Sequence, residues 1–113
     1  MANWTRLTGL LGVSAVAAGA YGAHGLKGNE AFKDVYKTAN SYHFTHTLAL
    51  AVATTQLVGR KRNIVCGLFT SGILVFSGAC YTVALTQERQ PFSKLAPIGG
   101  LLLMGGWLAF GIL

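Results

Sequence analysis

Two imidazoles three residues apart, His43 and His46 in SYHFTHTLALAV, open a long apolar run, and a third histidine, His24, closes another. Histidine at this spacing presents both rings to one helix face. It can ligate a metal or haem iron, or carry protons near neutral pH. Two tyrosines, Tyr21 and Tyr81, lie near the same ends of their own apolar runs. His24, His43, His46, Tyr21 and Tyr81 are therefore the candidate cluster, either as a ligand site or as a structural clasp that ties helix ends together. The clasp is the leading reading. A zinc site needs three or four ligands, and Glu30, Asp34 and Glu88 all fall in polar segments outside the apolar runs. No catalytic residue and no metal site is assigned. Haem or quinone at the cluster is the alternative, and no other cofactor is expected. Hydrolase, kinase and dinucleotide motifs are absent, so the chain reads as non-enzymatic.

The elements that position these residues follow from charge and hydropathy. The 113 residues are 52% hydrophobic and only 11% charged, against about 25% charged in soluble domains. Four intervals, Arg6 to Lys27, Lys37 to Arg60, Arg62 to Glu88 and Lys94 onward, each run for roughly 20 residues without a charge, about the length that crosses a ~30 Å hydrocarbon core as a helix. The expected fold is all-α, a polytopic membrane four-helix bundle forming one domain, with spans at about 7–24, 42–59, 64–85 and 95–113. The N-terminal run continues past signal-peptide length and is expected to be a retained helix.

Between the first two spans, HGLKGN is a break whose Asn29 suits a helix N-cap. Residues 30–41 are amphipathic, with Phe32, Val35, Tyr36, Ala39 and His43 on one stripe. They read as a short interfacial helix leading into the second span, its aromatics at headgroup level. Arg60–Asn63 reads as a tight basic turn, Thr86–Lys94 as a polar loop, and Pro97 as a first-turn residue of the last helix. Lysines and arginines divide almost evenly between the two faces, so they fix no orientation; the Arg60–Arg62 run favours its own side in the cytoplasm or matrix.

Glycine occurs 15 times, about twice the usual ~7%. Small residues let membrane helices approach closely, so Gly12, Gly19, Gly67, Ser71, Gly78, Gly99 and Gly106 are the expected packing seams. Cys66 and Cys80 sit on one helix, about 21 Å apart at ~1.5 Å per residue, too far to bridge. The +6 charge flanks the spans without forming an aromatic-interleaved stripe, which argues against nucleic acid as a partner and for the lipid bilayer.

YGAHG (Tyr21–Gly25), YHFTHTLAL (Tyr42–Leu50), FSGACYTVAL (Phe76–Leu85), LAPIGG (Leu95–Gly100) and the later Gly106-Trp107 pair together resemble the YgdD-like family of small four-span membrane proteins, whose animal members form the transmembrane protein 256 family. The resemblance runs over nearly the whole chain and implies a four-helix membrane protein without an assigned activity, located in the mitochondrial inner membrane for the eukaryotic branch. His24 and His46 match the family's histidines. His43 departs from it, because the bacterial pattern has Gln in that slot. His24 and His46 are thus expected to matter most, with His43 accessory. The functional expectation is an accessory or interaction subunit of a larger membrane complex, with the respiratory chain as the natural host. A haem, quinone or lipid site, or a small channel or carrier, is the alternative.

Overall fold

The computed structural model describes residues 2–26, 28–89 and 91–113, and these are helical apart from the turns and chain ends. Lys27 and Gln90, each assigned from sequence to a polar break, lie outside the described residues. Helix α1 spans Ala2–His24 and α2 spans Glu30–Gln56. Helix α3 runs Gly59–Thr86 and α4 runs Leu95–Ile112, entered through a 3-10 turn at Phe92–Lys94. Two of the helical stretches, Gly59–Thr86 and Phe92–Ile112, are long and apolar enough to cross a membrane, each with a mean hydropathy of 1.8.

Helix α2 is the central element, with α1 packed along one side and α3 along the other; α4 packs on α3. The shared core joins Leu11 of α1, Ala49, Leu50 and Ala53 of α2, Val65, Cys66, Phe69 and Ile73 of α3, and Leu103 of α4. Asn29 caps α2 as its residue type implied, its side-chain oxygen accepting from the Ala31 N–H at 2.8 Å. Residues 30–41 continue into the second expected span without a break, Glu30–Gln56 being one helix. Two details differ from the sequence expectation. Tyr36, expected at headgroup level, is 4% exposed because it fills the space that Gly22 of α1 leaves open. The expected basic turn at Arg60–Asn63 is instead the first turn of α3; the chain reverses at Leu57 and Val58, both extended, and enters α3 at Gly59, whose φ is +60°.

A feature without a counterpart in the sequence reading is the π-turn at Ile73–Ser77 inside α3. Such a turn inserts one extra residue, rotating everything beyond it by about 100° relative to an unbroken helix. Ser77, at its end, donates to the Ala39 carbonyl of α2 at 2.9 Å. Gly99 and Gly106 of α4 do lie against α3. A Cβ at Gly99 would sit 2.3 Å from the Phe76 nitrogen, and one at Gly106 would sit 2.7 Å from the Phe69 ring. Gly19 faces Asn40, and Gly12 is 4.0 Å from Thr47 by the same measure. Gly67 and Gly78, however, have nothing within 4 Å, and Ser71 donates to its own helix at Gly67. The glycine of α3 that takes a neighbour is Gly72, filled by Leu103. At the opposite end, Gly28 (φ +112°) lies against the side chain of Gln87, joining the α1–α2 and α3–α4 turns.

Candidate functional site

The amphipathic stripe read in the sequence is the face of α2 turned inward: Tyr36, Ala39, His43, His46, Leu50 and Ala53 are all buried. Helical spacing fixes this. Residues three, four and seven apart share a face, and the face meets α1 and α3 at the same time. The polar side chains on it must then find partners, because a buried polar group without a hydrogen bond is costly.

They do so in two chains. In the first, the Asn40 amide donates to the Ala15 carbonyl of α1 at 3.0 Å and to the Tyr81 hydroxyl of α3 at 3.1 Å. Tyr81 lies 2.9 Å from Nδ1 of His43, and Nε2 of His43 lies 3.1 Å from the Ser14 hydroxyl, which is 2.9 Å from the Leu11 carbonyl. One assignment uses every hydrogen once. Asn40 donates to Tyr81, Tyr81 to Nδ1 of His43, Nε2–H of His43 to Ser14, and Ser14 to Leu11. This places a neutral imidazole, protonated at Nε2, between α1 and α3. One turn away, the Tyr36 hydroxyl donates to the Ala18 carbonyl, and its ring packs edge-on to Tyr81 at 5.0 Å between centroids.

The second chain ties α2 to α4. The Trp107 indole N–H donates to Nε2 of His46 at 3.0 Å, while Nδ1 of His46 lies 2.9 Å from the Tyr42 carbonyl one turn earlier. With Nε2 accepting, Nδ1 carries the proton and donates, so His46 is also a neutral imidazole with both nitrogens committed. Its ring stacks on Tyr42 at 5.6 Å and meets Phe69 and Trp107 at 5.8 Å each. His46 lies roughly 24 Å along α2 from its first residue, well inside the bundle.

The five cluster residues therefore separate. His43 and Tyr81 come together and His46 lies one turn on, but His24 is exposed and forms no contact with either histidine among the described residues. Tyr21 is 51% exposed and contributes only its ring, 6.2 Å from that of Tyr36. No group of three metal-ligating side chains occurs among the described residues. His43, expected to be accessory, lies in the middle of the three-helix chain, with one ring nitrogen toward Ser14 of α1 and the other toward Tyr81 of α3. Asn40, Ser14 and Trp107 are working parts that the sequence reading passed over. Asn40 had a signal, lying one turn from Tyr36 and three residues before His43. Nothing in the linear chain linked Trp107 to His46, since their pairing depends on how α4 crosses α3.

Beside His46 is a pocket of about 460 Å³ lined by Tyr42, Thr45, Phe76, Met104 and Trp107 among others. It adjoins a groove of about 650 Å³ between α3 and α4. Cys66 and Cys80 are both buried free thiols.

Comparison with known proteins covers the middle of this arrangement. Residues 18–100, which hold Tyr36, Asn40, both buried histidines and Tyr81, match a family model described as a protein of unknown function, DUF423. A UPF0382 membrane protein of Staphylococcus haemolyticus is 37% identical over 87 residues, covering 73% of this chain and 68% of its own. One from Schizosaccharomyces pombe is 35% identical over 76 residues, covering 64% of each chain. Another, from Haemophilus influenzae, is 37% identical over 78 residues, 66% of this chain and 62% of its own. No solved structure matches the chain to a significant degree.

Proposed function

The chain belongs to the DUF423 family of membrane proteins, and from that premise we propose that it is a non-enzymatic four-span bundle that acts as an accessory subunit of a larger membrane complex. The observation that carries this reading is the closure of both imidazole chains. Each ring nitrogen of His43 and His46 already has a partner within the bundle, which supports a role for both in fastening helices.

Helix α1 has 23 residues, and the uncharged part of α2, from Thr38 to Gln56, reaches about 28 Å. Both lengths suit spans alongside α3 and α4. The His46–Trp107 pair then lies near the bilayer centre, where a satisfied polar pair is a helix fastener.

Faces left open support the interaction role. Gly9 of α1 and Gly67 and Gly78 of α3 have open space where a side chain would stand, and small residues allow another helix to come close. For a chain in the mitochondrial inner membrane, as the family resemblance implies for its eukaryotic branch, the natural host is a respiratory-chain assembly. Affinity purification from membranes dissolved in mild detergent, with partners identified by mass spectrometry, tests the proposal. A reproducible membrane-protein partner in fixed ratio is expected; recovery of this chain alone would overturn it.

The second reading, a haem or quinone site, is favoured only by the pocket beside His46, where Tyr42 and Trp107 present ring surface. Iron ligation there would have to displace the Trp107 N–H from Nε2 of His46. A visible absorption spectrum of the purified protein decides for haem, whose binding would give a Soret band.

A further inference from the structure

The groove between α3 and α4 is built differently from the histidine chains. Its walls are Val35 of α2, Phe76, Ala79, Cys80 and Val83 of α3, and Ala96, Pro97, Gly100, Leu101 and Met104 of α4, and it encloses about 650 Å³. That is within the range of ~300–1,000 Å³ typical of small-ligand sites. Among the described residues its one charged wall residue is Arg89, at the end where the α3–α4 turn lies, with Ser93 beside it. The Arg89 guanidinium is held 5.3 Å from the Phe32 ring centroid, a cation–π contact that fixes a flexible side chain at the mouth.

From Ser93 to Met104 the groove follows α4 for roughly 16 Å, close to the ~15 Å depth of one leaflet of a ~30 Å core. We propose that this groove binds one anionic phospholipid, the phosphate resting on Arg89 and the Ser93 hydroxyl and an acyl chain lying along Ala79, Val83, Gly100 and Met104. Charge complementarity selects this occupant. A partner helix or a neutral quinone would use the apolar walls but leave the fixed guanidinium at headgroup level without a counter-charge, whereas a phosphate diester supplies it. The groove is also open along its length, as an acyl chain entering sideways from the bilayer requires. This site does not involve Gly9, Gly67 or Gly78 of the subunit interface proposed above, so either can fail without the other; it shares Phe76, Gly100 and Met104 with the pocket at His46.

Native mass spectrometry of the purified protein with added phosphatidylglycerol or phosphatidylcholine tests it. The wild type is expected to hold one phosphatidylglycerol in preference to phosphatidylcholine, and Arg89→Gln to lose about fivefold of that preference, the effect of one basic residue at a membrane surface. Ala96→Trp, which narrows the groove and leaves Arg89 in place, is expected to lower binding of both lipids. Unchanged helicity by circular dichroism confirms that both variants fold. Equal binding of the two lipids by the wild type, or full preference retained by Arg89→Gln, would overturn the proposal. Binding of a quinone in place of lipid, or masking of the groove by a second copy, would overturn it too.

Discussion

At the scale of single residues, His43 is a two-sided connector. It accepts from Tyr81 at one ring nitrogen and donates to Ser14 from the other. A glutamine can reproduce both roles, with its oxygen accepting from Tyr81 and its amide donating to Ser14. This gives a physical reason for a family pattern with Gln in that slot. His43→Gln is therefore expected to shift thermal stability in detergent by no more than about 0.5 kcal/mol, a neutral change. His43→Leu should cost about 1–2 kcal/mol, because it leaves the Tyr81 hydroxyl without its acceptor. Equal losses for the two variants would show that the chain contributes nothing. For the second connector, Trp107→Phe keeps an aromatic ring against Phe69 and His46 but removes the donor to His46. A loss of about 0.6 kcal/mol, and no more than about 1.7 kcal/mol, is expected from the same thermal melt, the average and the upper end for hydrogen bonds between membrane helices.

At the scale of elements, the seams are set by the places where backbone meets backbone. Gly99→Ala would place a methyl 2.6 Å from the Phe76 Cα as well as against its nitrogen. Backbone cannot rotate away as a side chain can, so α4 must shift, at about 1–3 kcal/mol. Gly67→Ala and Gly78→Ala meet open space and should leave the stability of the isolated protein within about 0.5 kcal/mol or raise it slightly. Chemical unfolding of the three purified variants in one detergent separates these cases. Similar losses at all three positions would contradict the seam assignment.

The same contrast marks what the chain discloses before it folds. The inward stripe of α2 was legible because helical spacing alone sets it, as were the Asn29 cap and the start of α4 near Pro97. The seam of α3 was not. Gly67, Ser71, Gly72 and Gly78 are all small; which of the first three meets α4 depends on crossing geometry, and the facing of Gly78 depends also on the π-turn before it, which carries no sequence signature. The Arg60–Arg62 run was placed in a turn because charge looks like loop, yet Gly59 supplies the positive φ that lets the chain reverse before it. His43 and His46 were found together by spacing, but their partners Ser14 and Trp107 lie on other helices and depend on crossing geometry.

At the scale of the whole molecule, the bundle measures 45 × 26 × 18 Å, and its long dimension suits a bilayer of ~40–45 Å including headgroups. The buried histidines close on Ser14, Tyr81, Tyr42 and Trp107, while Leu10, Val13, Val16, Leu74, Leu101, Leu108 and Ile112 face outward. Such a surface suits lipid and other helices. The four-span arrangement proposed above would put the two termini on one face and the α1–α2 and α3–α4 turns on the other. With Cys66 and Cys80 replaced by alanine, single cysteines introduced at Asn3 and Leu113 should react with an impermeant maleimide from the same side of sealed vesicles, and one at Glu30 from the opposite side. Labelling of Asn3 and Leu113 positions from opposite sides would require an odd number of spans.

The central claim, that the bundle works by joining another membrane protein, meets its most direct test in blue-native electrophoresis of membranes dissolved in a mild detergent. The account predicts that the chain migrates in a complex far larger than its own 11.9 kDa, together with a second, different polypeptide in the denaturing dimension. Migration solely as a free monomer, or as an assembly containing only copies of itself, would contradict it.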